Sequence, residues 1–133
     1  MLVGIVVIKG IGIYMVQDLR QRTKKFALRV IRLYSSLPQS TVAQVIGKQV
    51  LRSGTSVGAH YREAFRSRSD AEFISKVQGG LQELEETTYW FELLIESNLV
   101  TEAKLKNLLQ EASELTAIFI TSVNKVKQKQ RKK

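Results

Sequence analysis

The sequence contains no cysteine, one proline and one histidine in 133 residues. The absence of cysteine excludes disulfide bonds, thiolate nucleophiles and cysteine-ligated zinc sites. The single histidine, His60, excludes sites with several histidine ligands, although carboxylate sites remain open. The length suits one domain with a buried core, and an apolar content of 44% excludes a wholly disordered chain.

Positive charge predominates and is unevenly distributed. The chain carries 21 Lys and Arg against 12 Asp and Glu, a net charge of +9. Residues 1–68 contribute +10, residues 69–124 contribute −7, and residues 125–133 contribute +6. Two interpretations follow: oppositely charged helices or copies attract each other, or a basic face meets a phosphate backbone.

Residues 1–16, MLVGIVVIKGIGIYMV, differ from the rest in being rich in Val, Ile and Gly. The stretch is shorter than the roughly 20 apolar residues that span a bilayer, and it lacks the basic start and cleavage site of a signal peptide. We therefore expect no membrane association. The segment is a strand that pairs with a neighbouring copy, a loose apolar tail, or an extension before a native start at Met15. We favour the last, because a helical pattern begins directly after Met15.

The body of the chain shows apolar residues at steps of three and four along four segments, which predicts four amphipathic helices, each with one buried stripe. The stripe includes Phe26, Val30 and Leu33 in the first helix and Val42, Val45, Tyr61 and Phe65 in the second. We expect the first helix from about Asp18 to Ser36, a second that starts at Ser40 or Thr41, a third that starts in the capping box at Ser69, and a fourth capped by Thr101. Short connections between long helices predict an all-α, antiparallel up-down four-helix bundle. The predicted organisation is an apolar extension, strand-like or disordered, at 1–16, the bundle at 17–127, and a basic tail at 128–133 into which the last helix frays.

Glycines interrupt two of these helices. Gly47, Gly54 and Gly58 fall in the second helix, and Gly79 and Gly80 in the third. Glycine costs about 1 kcal/mol relative to alanine inside a helix. We expect that cost to be offset by close approach of another backbone, and the alternatives are a break near Gly54 and a kink at Gly79–Gly80.

Residues that could support catalysis are few. Only His60, one turn after Ser56, could act as the base for a nucleophile, and the simpler expectation is a hydrogen-bonding or surface histidine. The third helix is rich in glutamate, but it has no Glu-x-x-His pair of the kind that di-iron bundles use, and a solvated acidic face is expected. We therefore predict a protein that is not an enzyme and has no cofactor or metal.

Basic residues supply the strongest candidate site, a nucleic-acid-binding surface. Arg62 and Arg66 are one turn apart, and Arg66 and Arg68 precede the start of the third helix, where arginines and free backbone amides together suit phosphate. Tyr61 would add base stacking. The alternative is that these arginines pair with Glu63, Asp70, Glu72 or acids of a neighbouring subunit. The candidate residues are Arg20, Lys24, Arg29, Arg52, Arg62, Arg66, Arg68, Lys125, Lys127, Lys129 and Arg131.

Two blocks of the sequence resemble a known bacterial family. The run LRSGTSVGAHYREA at residues 51–64, and the segments EFI at 72–74, LEET at 84–87 and YWFELLIES at 89–97, resemble the 23S rRNA intervening-sequence proteins. The similarity extends over about residues 18–127. One departure is His60, where the family usually has Asn.

The resemblance implies a cytoplasmic four-helix bundle that assembles as a ring-like homopentamer with a central channel. It also implies a link to the similar accessory proteins of diversity-generating retroelements, which bind nucleic acid together with a reverse transcriptase. RNA is the favoured ligand, with DNA as another possibility. The alternative function is a protein–protein interaction scaffold or accessory subunit whose basic residues contact its own copies or a partner. No catalytic residue is implied.

Overall fold

The chain folds into four helices joined by short connections, in a computed structural model that describes residues 12–132. The helices are α1 (Gly12–Ser35), α2 (Thr41–Phe65), α3 (Asp70–Glu96) and α4 (Glu102–Arg131). Each helix packs against the next one along the chain, and α4 returns to α1. The predicted all-α, antiparallel up-down four-helix bundle is confirmed.

The helix boundaries are set by side chains that the sequence singles out. The hydroxyl groups of Ser40, Ser69 and Thr101 each accept a hydrogen bond from the backbone amide three residues later, at 3.1–3.3 Å. These bonds satisfy amides that have no partner within the helix. Beyond the end of α3, Asn98 adopts a left-handed backbone with φ of 62°, and its amide donates to the carbonyl of Ile95. The three predicted caps are confirmed.

The first and last helices of the chain are longer than predicted. α1 begins at Gly12 rather than near Asp18, and α4 continues to Arg131 rather than fraying into a tail from residue 128. Extending an existing helix costs far less than starting one, and Lys, Gln and Arg are good helix formers. Residues 1–11 of the predicted apolar extension lie outside the described residues, and the prediction of a native start at Met15 stays a prediction.

The core lies along the axis of the bundle, where the predicted apolar stripes meet. It is built largely from aromatic and aliphatic side chains that are almost fully buried. Val42 and Val45 were predicted in the α2 stripe, but they are 56% and 58% exposed. Val45 precedes buried Val50 by five residues and is therefore rotated about 140° away from it. The largest buried side chains are Phe26, Tyr61, Phe73, Leu84, Phe91, Leu94, Leu105, Leu115 and Phe119.

Glycines allow neighbouring helices to pack closely, but the groups that approach Gly54, Gly79 and Gly80 are side chains rather than the backbone that was predicted. A Cβ atom on Gly54 would lie 2.8 Å from Cγ2 of Val30 on α1. On α3, a Cβ on Gly80 would lie 2.7 Å from the Phe119 ring of α4, and one on Gly79 would lie 2.8 Å from Nδ1 of His60 on α2. α2 runs through Gly54 without interruption, so the alternative of a break there is wrong.

Candidate nucleic-acid interface

Cationic residues from three separate parts of the chain meet at one end of the bundle. The antiparallel order places the start of α1, the end of α2, the α2–α3 connection and the end of α4 there. Packing of Gly58 beside Thr23 and an ion pair of 3.5 Å between Lys129 and Asp70 fix the alignment of these elements. We call this surface the basic end, and it comprises Arg20, Arg62, Arg66, Arg68, Lys125, Lys127, Lys129 and Arg131.

A shallow pocket of about 270 Å³ lies at the basic end between α1 and α2. It is lined by Arg20, Arg62, Glu63, Phe65 and Arg66. The guanidinium carbon of Arg20 lies 4.8 Å from the centroid of the Phe65 ring, within the range of a cation–π contact. The pocket therefore combines arginine donors with a planar surface formed by a ring and a guanidinium group.

The acids near these arginines are partnered by lysines. Glu63 accepts from Lys76 Nζ at 3.1 Å, and Asp70 pairs with Lys129. Among residues 19–132, whose side chains the structure describes, Arg62, Arg66 and Arg68 take part in none of the ion pairs, although sequence alone allowed them to pair with Glu63 or Asp70. Their positive charges are therefore available to an anionic partner.

The three remaining residues of the predicted site, Lys24, Arg29 and Arg52, have different surroundings. Lys24 is exposed one turn after Arg20 and extends the basic end along α1. Arg29 follows Arg20 by nine residues, or about two and a half turns, so it lies on the opposite face of α1. Arg52 donates to Glu83 at 3.5 Å and also to Glu86, so its charge links α2 to α3. The structure therefore does not join Arg29 or Arg52 to the basic end.

The prediction that Tyr61 stacks on bases is wrong. Tyr61 is only 2% exposed and packs against Phe119 with ring centroids 5.6 Å apart. Burial raises the pKa of its hydroxyl group well above the ordinary range. Phe65, which the sequence pattern assigned to the core stripe, is instead partly exposed among the arginines. The signal available in the sequence was its position as the last residue of α2, directly before Arg66.

His60 has a structural environment between α2 and α3. Its ring covers Gly79, and its Nε2 atom lies 3.8 Å from a carboxylate oxygen of Glu83. Its Nδ1 atom is buried with no hydrogen-bond partner among the described residues. The Ser56 hydroxyl donates to the carbonyl of Arg52 at 2.6 Å rather than to His60. The geometry therefore gives no nucleophile–base pair at these two residues.

The opposite side of the bundle is acidic and partly apolar. A groove of about 580 Å³ runs between α3 and α4, and we call it the acidic groove. Tyr89 and Ile120 line it and are 52% and 45% exposed, with Glu85 and Glu92 beside them. Residues 19–132, whose side chains the structure describes, contain no cluster of three or more acidic or histidine side chains placed to hold a metal ion. They also contain no helix with an apolar stretch long enough to cross a bilayer.

The fold and its charge distribution define a class of four-helix-bundle protein with one basic end and one acidic side. The model of the 23S rRNA-intervening sequence protein family matches residues 17–121, which is most of the chain. The chain belongs to this family. The resemblance noted from residues 51–64 and 72–97 is thereby confirmed at the level of the family.

A solved structure agrees with this assignment. The chain is similar to a protein of unknown function from the S23 ribosomal protein family of Bacteroides thetaiotaomicron, solved by crystallography at 1.70 Å. The two are 36% identical with a TM-score of 0.75, and the match covers 79% of this chain and 97% of the other. No curated protein matches the chain.

Proposed function

We propose that this protein is a non-enzymatic, cytoplasmic, self-assembling RNA-binding protein that contacts phosphates through its basic end. The observation that carries the proposal is the convergence of cationic residues from α1, α2 and α4, with Arg62, Arg66 and Arg68 in none of the ion pairs among residues 19–132. Such a surface attracts a phosphate backbone and gains free energy by releasing its condensed counterions.

Unpaired RNA suits the pocket between α1 and α2 better than duplex DNA does. Bases of single-stranded segments stack on aromatic rings and on guanidinium planes. Arg20 over Phe65 supplies both kinds of surface beside Arg62 and Arg66. A duplex keeps its bases stacked on one another, so it would contact only the cationic groups. We therefore expect single-stranded RNA and hairpin loops to bind more tightly than duplex DNA.

The proposal is tested by fluorescence anisotropy with three labelled probes: single-stranded RNA, an rRNA-derived hairpin and duplex DNA. The Arg62→Gln/Arg66→Gln double variant removes two charges from the basic end. A matched control, Lys48→Gln/Lys106→Gln, removes two exposed charges near the other end. We expect the first variant to weaken RNA binding at least about tenfold and the control to bind nearly as wild type. Equal loss in both variants, or no RNA binding by folded wild-type protein at low salt, would overturn the proposal.

The acidic groove favours a second candidate, a protein-interaction scaffold. Exposed Tyr89 and Ile120 beside Glu85 and Glu92 suit a basic, partly apolar surface. The chain itself carries a basic, partly apolar surface on α1, where Leu28 is exposed close to Lys24. Pairing the two different surfaces would be heterologous, and such an interface forms a ring when the rotation between successive copies closes, which is the arrangement that the homopentamer implied by the family resemblance requires.

Mass measurement separates self-assembly from recruitment of another protein. Light scattering of the full chain should give the mass of five copies, and Tyr89→Lys should reduce that mass, because the added positive charge repels the basic surface of the neighbouring copy. A monomeric wild-type protein would contradict self-assembly. A basic protein such as a retroelement reverse transcriptase, tested in a pull-down against wild type and Tyr89→Lys, would then be the partner to examine.

A further inference from the structure

A second cationic groove lies between α1 and α4, away from the basic end. α1 and α4 are the least closely packed pair of neighbouring helices, and a cavity of about 290 Å³ opens at the seam between them. Arg29 and Arg32 of α1 and Lys104 of α4 line this cavity together with Ser36 and Asn107. We call it the α1–α4 groove.

Positive charge in the α1–α4 groove has no local compensation. None of the described residues that line it is acidic. Glu111 lies further along α4, where it accepts hydrogen bonds of 3.0 and 2.6 Å from Arg22. The Lys104 ammonium group donates to Ser36 Oγ at 2.9 Å, which holds it across the seam. Three positive charges therefore face one small cavity.

The floor of the groove is apolar. Leu33 and Leu108 line it and are otherwise buried in the core. Arginine and lysine donors match phosphate oxygens, and an apolar floor suits the sugar or base attached to a phosphate. The volume is at the lower limit of small-molecule pockets, about 300 Å³, so it suits one nucleotide rather than a long strand.

We infer that the α1–α4 groove binds the phosphate of a single nucleotide, either free or at the end of a nucleic-acid strand. Arg29 and Arg32 would contact the phosphate from α1, and Lys104 would contact it from α4. The Asn107 amide would add a neutral donor. The inference is independent of RNA binding at the basic end, because Arg29 and Arg20 lie on opposite faces of α1.

Nuclear magnetic resonance tests the groove at individual residues. The full-length protein labelled with ¹⁵N is titrated with AMP, and then with a short oligonucleotide carrying either a 5′-phosphate or a 5′-hydroxyl group. We expect shifts of the Asn107 side-chain amide and of the backbone amides of Ser36 and Lys104. Arg32→Gln/Lys104→Gln should weaken binding about tenfold, while the control Lys48→Gln/Lys106→Gln should not.

The probes distinguish the two sources of the phosphate. Binding of AMP at the groove supports a free nucleotide, and binding only of the 5′-phosphorylated oligonucleotide supports a strand end. No shift at the groove with any probe at low salt, or equal affinities for the groove variant and its control, would overturn the inference. Shifts at the groove that persist in Arg62→Gln/Arg66→Gln would support it even if RNA binding at the basic end fails.

Discussion

Replacing Gly54 by alanine tests how closely α1 and α2 approach each other. The new Cβ would lie 2.8 Å from Cγ2 and 2.9 Å from Cγ1 of Val30, well inside the roughly 3.5–4.0 Å of an ordinary carbon contact. Val30 is fully buried and β-branched, so few rotamers let it move away. Overpacking costs about 1–3 kcal/mol, and alanine gains about 1 kcal/mol in helix propensity. We expect a net loss of about 1 kcal/mol in the free energy of unfolding.

Urea denaturation of four proteins measures this effect. These are the wild type, Gly54→Ala, Val30→Ala and the double variant. The shortened side chain of Val30→Ala leaves room for the new methyl group, so the two substitutions should couple favourably by about 0.5–3 kcal/mol. If Gly54→Ala instead stabilises the protein by the full propensity gain, with no coupling, the close approach of α1 and α2 is refuted.

Three further predictions concern a cap, the core and a titrating group. Ser69→Ala should lower the free energy of unfolding by about 1 kcal/mol in urea denaturation, because it removes the hydrogen bond that caps α3. Phe91→Ala should cost about 3–5 kcal/mol, whereas exposed Val42→Ala should stay within about 0.5 kcal/mol in the same assay. The hydrogen bond from Gln110 at 3.0 Å holds the pKa of Glu114 below its usual value. Gln110→Ala should raise that pKa in a ¹³C NMR titration. A lowered pKa in the folded state adds stability that is lost as the pH falls. The variant should therefore also lose less stability than the wild type on acidification.

Periodicity and caps made the fold predictable. The steps of three and four residues placed Phe26, Val30 and Leu33 in the core, and all three are buried. Ser69 followed by Glu72 located the start of α3 through a purely local hydrogen bond. Helix ends without a strong signal were less predictable. α1 and α4 extend further than their patterns suggested, because propagation of a helix needs no special residue.

The candidate site was predictable only in part, because the orientation of a charged side chain depends on its neighbours. Arg62 and Arg66 were linked correctly by their one-turn spacing. Arg52 has the same residue type, but it faces Glu83 of α3, and that pairing depends on how two distant segments align. The apolar stripe placed both Tyr61 and Phe65 in the core, but only Tyr61 is buried there, so the exposed aromatic ring at the basic end is that of Phe65.

The salt dependence of RNA binding offers the sharpest test of the basic end. The logarithm of the affinity for single-stranded RNA should fall linearly with the logarithm of salt concentration, with a slope of about −0.7 for each phosphate contact. Arg62→Gln/Arg66→Gln should reduce the magnitude of that slope by about 1.4, and Lys48→Gln/Lys106→Gln should leave it unchanged. An unchanged slope in the first variant, or the same reduction in both, would show that the basic end does not bind the RNA phosphates.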